Sequence, residues 1–407
     1  MVLDVSAVRS QFPALGRIVR GRQAAYLDGP GGTQVPESVI EAIAGFMRAG
    51  GSNQGGPFVT SRETDAVTVS AREAIADLFG ASPNEIAFGQ NMTSLTLSVS
   101  RALGATWGAG DNIVVSRLDH DADVWPWVMA ARDARAEVRW MDFDPEDGCR
   151  LRTDLAGDVI DHRTRLVAMT HASNAVGTIP DVRTVIEAAH AVGARTYVDA
   201  VHYSPHGLVD VVALDTDFLV ASAYKFFGPH TGCLYGKHEA LESIDAYKIR
   251  PAPDEPPGKW ETGTQSFESL AGVTAAVDYL ASLGSGTGRR DRIRSAFESI
   301  GDHERTLSRR FLDGVVGLQH VTLYGRDIPE GRTPTFAISV DGMHPDAVAE
   351  VLGDQGIFVW SGDYYAVEVM RRLGVADRGG LVRVGFAHYN TIEEVDRVVG
   401  ALDALSH

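Results

Sequence analysis

RTYVDAVHYSPHGLVDVVALDTDFLVASAYKFFG, residues 195–228, holds two short runs, RTYVDA and FLVASA, that stay apolar without alternation. A strand with one wet face alternates apolar and polar residues, whereas a strand covered on both faces does not. Each run stops at a reactive side chain: Asp199 closes the first and Lys225 follows the second. In open α/β sheets the functional crevice lies beyond the carboxyl ends of the strands. The stretch therefore predicts a mostly parallel sheet and marks where its chemistry sits.

Outward from it, the same strand pattern recurs upstream in EIAFG (85–89), NIVVSR (112–117), EVRWMDF (137–143) and RLVAMTHA (165–172). Helical stretches lie between most of them: TSLTLSVSRALG (93–104), DVWPWVMAARDAR (123–135) and VRTVIEAAHAVG (182–193). PESVIEAIAGFMRAGG (36–51) carries Pro at its start and Gly at its end, the usual asymmetry of a helix. Downstream, PAPDEPPGKWETGTQ (251–265) is rich in Pro, Gly and charge and marks the end of the sheet region. A long helix (289–315), the strands TPTFAISV and LVRVGFAHY, and two further helices follow. The expected fold class is α/β, with a large domain over 20–280 and a smaller α+β domain from 1–19 and 281–407.

The 407 residues are 44% hydrophobic and carry a formal net charge of −17, which disfavours nucleic acid and anionic membranes as partners. No apolar run is long enough to span a bilayer. Two cysteines, Cys149 and Cys233, make no disulfide framework and suggest a reducing, cytoplasmic setting. There are only four lysines, so a reaction that needs an amine nucleophile has few candidates.

The expected strand ends are polar: Gln90 to Ser94, Asp119 to Asp123, His171 to Asn174, Asp199 to His206, and Ser222 to Lys225. Lys225, set between an apolar strand and two phenylalanines, would have its charged form disfavoured, as a Schiff base to an aldehyde cofactor requires; the rival is a surface lysine. Asp199 could pair with a protonated ring nitrogen, as pyridoxal phosphate chemistry needs, or cap the next helix. His120 could stack on a planar ring or be structural. Thr93 and Ser94 open a helix where a phosphate, or a plain N-cap, fits. Arg383 is a candidate for a substrate carboxylate or a structural arginine. A different chemistry is also open, since DHDAD (119–123), with Asp199, His202 and His206, offers carboxylates and imidazoles as potential ligands for the metals of a hydrolase, although no HExxH or paired-cysteine spacing accompanies them. GPGGTQ (29–34) matches neither dinucleotide nor P-loop spacing.

Taken in order, YLDGPGGTQVP, QNMTSLTL, DHDADVWPW, THASNAVGTIPDV, YVDAVHYSPHGLVDV, SAYKFFGPHTGCLYG, ETGTQSFESLAG and VRVGFAHYNTIEEVD make the chain resemble the class V aminotransferase family of fold-type I pyridoxal-phosphate enzymes, in its cysteine desulfurase-like branch. The resemblance implies a fold-type I transferase with a seven-stranded, mostly parallel sheet and pyridoxal 5'-phosphate as cofactor. It implies Lys225 as the Schiff-base lysine, Asp199 at the pyridine nitrogen and His120 on the ring face, with Asn174 and His202 near the ring hydroxyl. Thr93, Ser222, Tyr224 and the backbone of Met92 would hold the phosphate, and Arg383 the substrate carboxylate. Thr264 would reach the phosphate from a second subunit, which implies a homodimer with shared sites. Three positions depart from the desulfurase pattern: His202 replaces a glutamine, Tyr224 a histidine, and Tyr365 the sulfur-accepting cysteine. A phenol cannot accept sulfane sulfur as a thiolate does. The expected activity is therefore carbon–sulfur cleavage on cysteine or an S-substituted cysteine, with transamination or epimerisation as the family alternatives.

Overall fold

The computed structural model describes residues 3–405. Its centre is a seven-stranded sheet built from β1 (Ile86–Gly89), β2 (Asn112–Ser116), β3 (Glu137–Met141), β4 (Thr164–Thr170), β5 (Arg195–Asp199), β6 (Phe218–Ser222) and β7 (Gly232–Gly236), in the order β1-β7-β6-β5-β4-β2-β3. Only β7 runs against its neighbours; the other pairings inside the sheet are parallel. The unalternating apolar runs are explained by two cores. Ile113, Val115, Leu166, Ala168, Tyr197 and Val220 face one, and Val114, Val167, Met169, Val198 and Leu219 face the other. Each residue along a strand points to the opposite side from the last, so burial of both faces demands apolar residues throughout.

Helices cover both faces. They are α1 (Glu37–Ala49), α2 (Val59–Phe79), α3 (Met92–Gly104), α4 (Trp125–Ala134), α5 (Val182–Ala191) and α6 (Phe267–Ser282). Gly50 ends α1 with φ of 79°, a left-handed value that glycine adopts without strain. The long helix α7 (Arg289–Val315) joins two parts of the molecule: Ile293, Phe297 and Ile300 enter the core beside the large sheet, while Leu307, Phe311 and Val315 enter a third core. That third core lies under an antiparallel sheet of β8 (Val321–Tyr324), β9 (Thr335–Val340), β10 (Trp360–Gly362) and β11 (Leu381–Gly385), in the order β8-β9-β11-β10. Helices α8 (Pro345–Asp354) and α9 (Ile392–Asp403) pack there too. The chain near the N-terminus is shared between the two parts. Ala25 and Leu27 lie in the third core and pair with Ile357–Phe358, whereas Val8, Phe12 and Leu15 join the core of the large sheet.

The Pro- and Gly-rich segment 251–265 is pinned to the large sheet. Glu261 accepts the backbone N–H of Phe88 on β1 at 2.9 Å and pairs with Arg72 of α2 at 2.8 Å, and Trp260 is buried in the core that holds Ala87 and Leu241. Among the described residues no helix is long and apolar enough to cross a membrane.

Candidate active site

A cavity of about 880 Å³ opens at the carboxyl ends of the parallel strands, roofed by the segment between β10 and β11. Met92, Thr93, His120, Asn174, Asp199, His202, Ser222, Tyr224, Lys225, Tyr365 and Arg383 all line it. Of the cofactor and substrate contacts that the resemblance implies, only Thr264 is not brought there; it is exposed on the 261–265 loop.

Lys225 ends a single helical turn, Ala223–Lys225, directly after β6. Its Nζ donates to the Pro30 carbonyl and lies 4.9 Å from the centre of the Tyr224 ring. Burial, and next the charge of Arg383, lower its pKa to about 7, so much of the amine is neutral at neutral pH. Asp199 closes β5 and is fixed through one oxygen, which accepts the Val201 N–H at 2.8 Å. Burial pushes its carboxyl up to about 6, against the opposing pull of that hydrogen bond and of Lys225.

His120 caps the turn before α4: its Nδ1 accepts the Ala122 N–H at 3.0 Å. An accepting Nδ1 carries no proton, so the ring is the neutral Nε2–H tautomer. Burial and the cations Lys225 and Arg383 keep it neutral, with a pKa near 4. The start of α3 is capped by Asn91 and Ser94, whose backbone and side chains bond reciprocally. Ser94 is thus used as a cap, while the Thr93 side chain remains at the cavity and the Met92 N–H donates to Ser222 Oγ at 2.9 Å.

The loop 171–178 joins the two sheets at the site. The Gly177 carbonyl accepts the Thr333 N–H at 2.8 Å, and His202 Nε2 lies 3.0 Å from Thr333 Oγ1. The Asn174 carbonyl accepts from Arg383 at 2.8 Å, and the Asn174 side-chain N–H donates to the Tyr364 carbonyl at 2.9 Å. Arg383, central in β11, sits 4.4 Å over the Tyr364 ring, and its buried Nε has no partner; neither has Asn174 Oδ1. Burial brings the guanidinium down to about 10 without removing its charge at neutral pH. Tyr364 and Tyr365 both hold left-handed backbone, φ 55° and 56°, which is strained for a side chain of that size.

Two features escape a residue-by-residue reading. The first is the GPGG segment, whose Pro30 carbonyl holds the lysine and whose Gly31 lies so close to the Trp360 indole that any Cβ would strike it. Glycines flanking a proline with no known phosphate-loop spacing were the available signal. The second is Asp28, half-buried, whose carboxyl burial raises to about 6 against the opposing charges of Arg383 and Lys225.

The metal-ligand set is not assembled. His206 bonds Glu304 of α7 at 3.0 Å, Asp123 accepts from Trp127 at 3.0 Å, and neither Asp119 nor Asp123 lines the cavity. Among the described residues, no three His, Cys, Asp or Glu side chains are grouped to hold a metal ion. Both thiols are buried away from the cavity; burial raises Cys149 to about 12 and Cys233 well above the ordinary thiol range.

This arrangement offers a near-neutral amine, a buried carboxylate, a neutral imidazole and a guanidinium with a spare donor, all facing one space. The class-V aminotransferase profile matches residues 25–398. A cysteine desulfurase of Klebsiella pneumoniae is 33% identical over all of this chain and 99% of its own. An uncharacterized protein of Mycobacterium tuberculosis is also 33% identical, over the full length of both. The apo structure of the cysteine desulfurase from Thermococcus onnurineus superposes with a TM-score of 0.89 at 28% identity, covering 100% of this chain and 98% of that one. A cysteine desulfurase from Escherichia coli gives 0.85 at 27% identity, covering 99% and 98%. Family profile, full-length relatives and fold agree, and the chain belongs to the class-V aminotransferase family.

Proposed function

We propose that this protein is a pyridoxal-phosphate enzyme that cleaves the carbon–sulfur bond of cysteine or an S-substituted cysteine by direct elimination. The observation that carries the reading is a division of side chains. Lys225, Asp199 and Arg383 share one cavity, while both thiols are buried elsewhere and the loop offers Tyr365.

The donor set fits the cofactor. The cavity holds an amine of lowered pKa, a buried carboxylate, a neutral ring for stacking, and hydroxyl groups at the start of a 13-residue helix. Asn174 Oδ1 is a buried acceptor without a protein partner, as a residue facing a ring hydroxyl would be. Bound there, pyridoxal phosphate supplies an aldehyde for the amines and a ring that accepts an electron pair from the substrate.

The chain's own groups then divide the work. Arg383 takes the substrate carboxylate through its spare Nε donor and thereby orients the α-carbon. Lys225 Nζ, neutral in part at neutral pH, removes the α-proton. Asp199 holds a proton at the ring nitrogen, and His120 covers the ring without adding charge. The β-carbon–sulfur bond breaks with its electron pair on sulfur, which leaves as a thiol. The remaining enamine hydrolyses to pyruvate and ammonia. Tyr365, which lines the cavity with its ring 5.4 Å from that of His120, would supply the proton for the leaving sulfur. Thr264, exposed on its own chain and absent from its own cavity, supports an active homodimer in which each partner completes the other's site, and the two free thiols support a reducing cytoplasm.

The test is product analysis with cysteine and a series of S-substituted cysteines, using wild type and the Cys149→Ala/Cys233→Ala double variant. Pyruvate and thiol in equal amounts, from both proteins within severalfold, are expected. Alanine with a protein persulfide, a keto acid from transamination, or inverted substrate would overturn elimination.

A further inference from the structure

Three aromatic rings that line the cavity keep half or more of their surface in solvent, so they stand at its opening: Trp125 (54% exposed) at the start of α4, Trp360 (52%) on β10, and Tyr365 (70%) on the following loop. Large exposed aromatic side chains grouped around a cavity mouth mark a binding surface. They are held in place. Trp360 is the direct cross-strand neighbour of Arg383, on the same face, and its indole rests on Gly31, where only glycine leaves room for it. The Tyr365 ring lies 5.4 Å from that of His120, and its carbonyl accepts the Asp121 N–H at 2.6 Å.

Two carboxylates line the same mouth. Asp121 is half-buried and Asp363 is exposed, with one oxygen accepting the Tyr365 N–H at 2.9 Å. Among the described residues neither forms an ion pair, whereas the nearby Glu368 is matched by Arg117 and Arg371. Burial, and then the charge of Glu368, push the Asp121 carboxyl up, with Arg371 opposing and Asp363 adding to the rise. The cavity's cations, Lys225 and Arg383, are committed to the cofactor and the substrate carboxylate, and His230 is stacked on Tyr224. The mouth formed by these rings and carboxylates is thus aromatic and acidic, and the one exposed basic side chain lining the cavity is His230. A neutral substituent would desolvate both carboxylates without pairing them. A cation would meet the faces of the rings and the two charges together.

We propose that this mouth selects an amino-acid substrate whose side chain ends in an alkylated ammonium group: a cysteine S-conjugate with a cationic substituent. The inference rests on the elimination reading and names the class of leaving group that reading leaves open. Trp360, Tyr365, Asp121 and Asp363 are then specificity residues, and the departure at Tyr365 has a use of its own.

The test is a matched pair of equal shape, S-(2-trimethylammonioethyl)cysteine and its uncharged isostere S-(3,3-dimethylbutyl)cysteine. For the holoenzyme at low salt, kcat/KM for the cation is expected to exceed that for the isostere roughly tenfold. The ratio should shrink as salt is added and fall towards one in Asp121→Asn/Asp363→Asn, and it should drop in Trp360→Leu. Calorimetry with analogues carrying methylene in place of sulfur reads binding without elimination. Tighter binding of the cationic analogue, with no pyruvate from either conjugate, would uphold charge selection and sink the elimination reading. Equal binding of the two, or a preference that survives the double Asp substitution, would overturn the inference whatever turnover shows. So would loss of the dimer in these variants with the ratio unchanged, since the mouth would then be a subunit contact.

Discussion

At the scale of single residues, Lys225 and Asp199 owe their properties to burial, and the two shifts work together. An amine whose pKa falls from 10.5 to about 7 is nucleophilic at neutral pH, and a carboxylate raised to about 6 is still ionised there. The free lysine must be neutral to attack an aldehyde. The rate at which cofactor-free protein captures pyridoxal phosphate should therefore rise about tenfold per pH unit below 7 and level off above it. Stopped-flow absorbance reads this directly; a rate that keeps climbing towards 10.5 would mean an ordinary, solvated lysine. Lys225→Ala should lose the borohydride-reducible chromophore altogether. The same residue scale was the most legible in the sequence, because a strand end, an apolar flank and a scarcity of lysine are all local properties.

At the scale of elements, the site depends on a loop that lies between two sheets. Residues 171–178 meet the Thr333–Thr335 segment, and Gly177 sits there with φ of 78° so close to the Thr335 carbonyl that a Cβ would collide with backbone. Backbone cannot swing aside, so Gly177→Ala should destabilise the fold by more than ~2 kcal/mol, from left-handed strain and overpacking together. Gly193 is the control. It has φ of 79° but open space around it, and Gly193→Ala should cost only about 1–2 kcal/mol. Urea midpoints at constant slope separate the two, and equal losses would show that the contact with Thr335 is unimportant. Helices and strands of this chain were readable from periodicity and caps, as with Pro36 and Gly50 around α1. The role of GPGG and of the 251–265 segment was not. What those residues touch, Lys225 and Trp360 in one case and Phe88 and Arg72 in the other, lies far away in the chain.

At the scale of the whole molecule, Thr264 is the one expected cofactor contact that a single chain does not bring to its own cavity. If it serves a partner's site, inactive Lys225→Ala and Thr264→Ala chains should complement each other. In each mixed dimer, the site that keeps its lysine receives an intact threonine from the other chain. Random exchange of equal amounts should restore about a quarter of wild-type activity. No recovery after exchange verified by native mass spectrometry would put Thr264 in its own chain's site or outside any site. The long helix α7 carries the other molecular-scale relation, since its first half packs on the large sheet and its second half on the small one. That coupling holds Arg383, Trp360 and the segment between β10 and β11 of the small sheet over the strand ends of the large one.

The sequence by itself determined the class of fold and which polar and charged residues stand at the strand ends. Double-sided burial writes itself into a strand as an unbroken apolar run, and chemistry at strand ends stays next to that run in the chain. Only the tertiary structure decided which groups meet. It separated His206 from the acidic cluster by pairing it with Glu304, buried both thiols away from the cavity, and gathered Trp125, Trp360, Tyr365, Asp121 and Asp363 at one mouth. Those outcomes depend on contacts between residues up to hundreds of positions apart. A local pattern records how a residue is buried, but not which distant partner buries it.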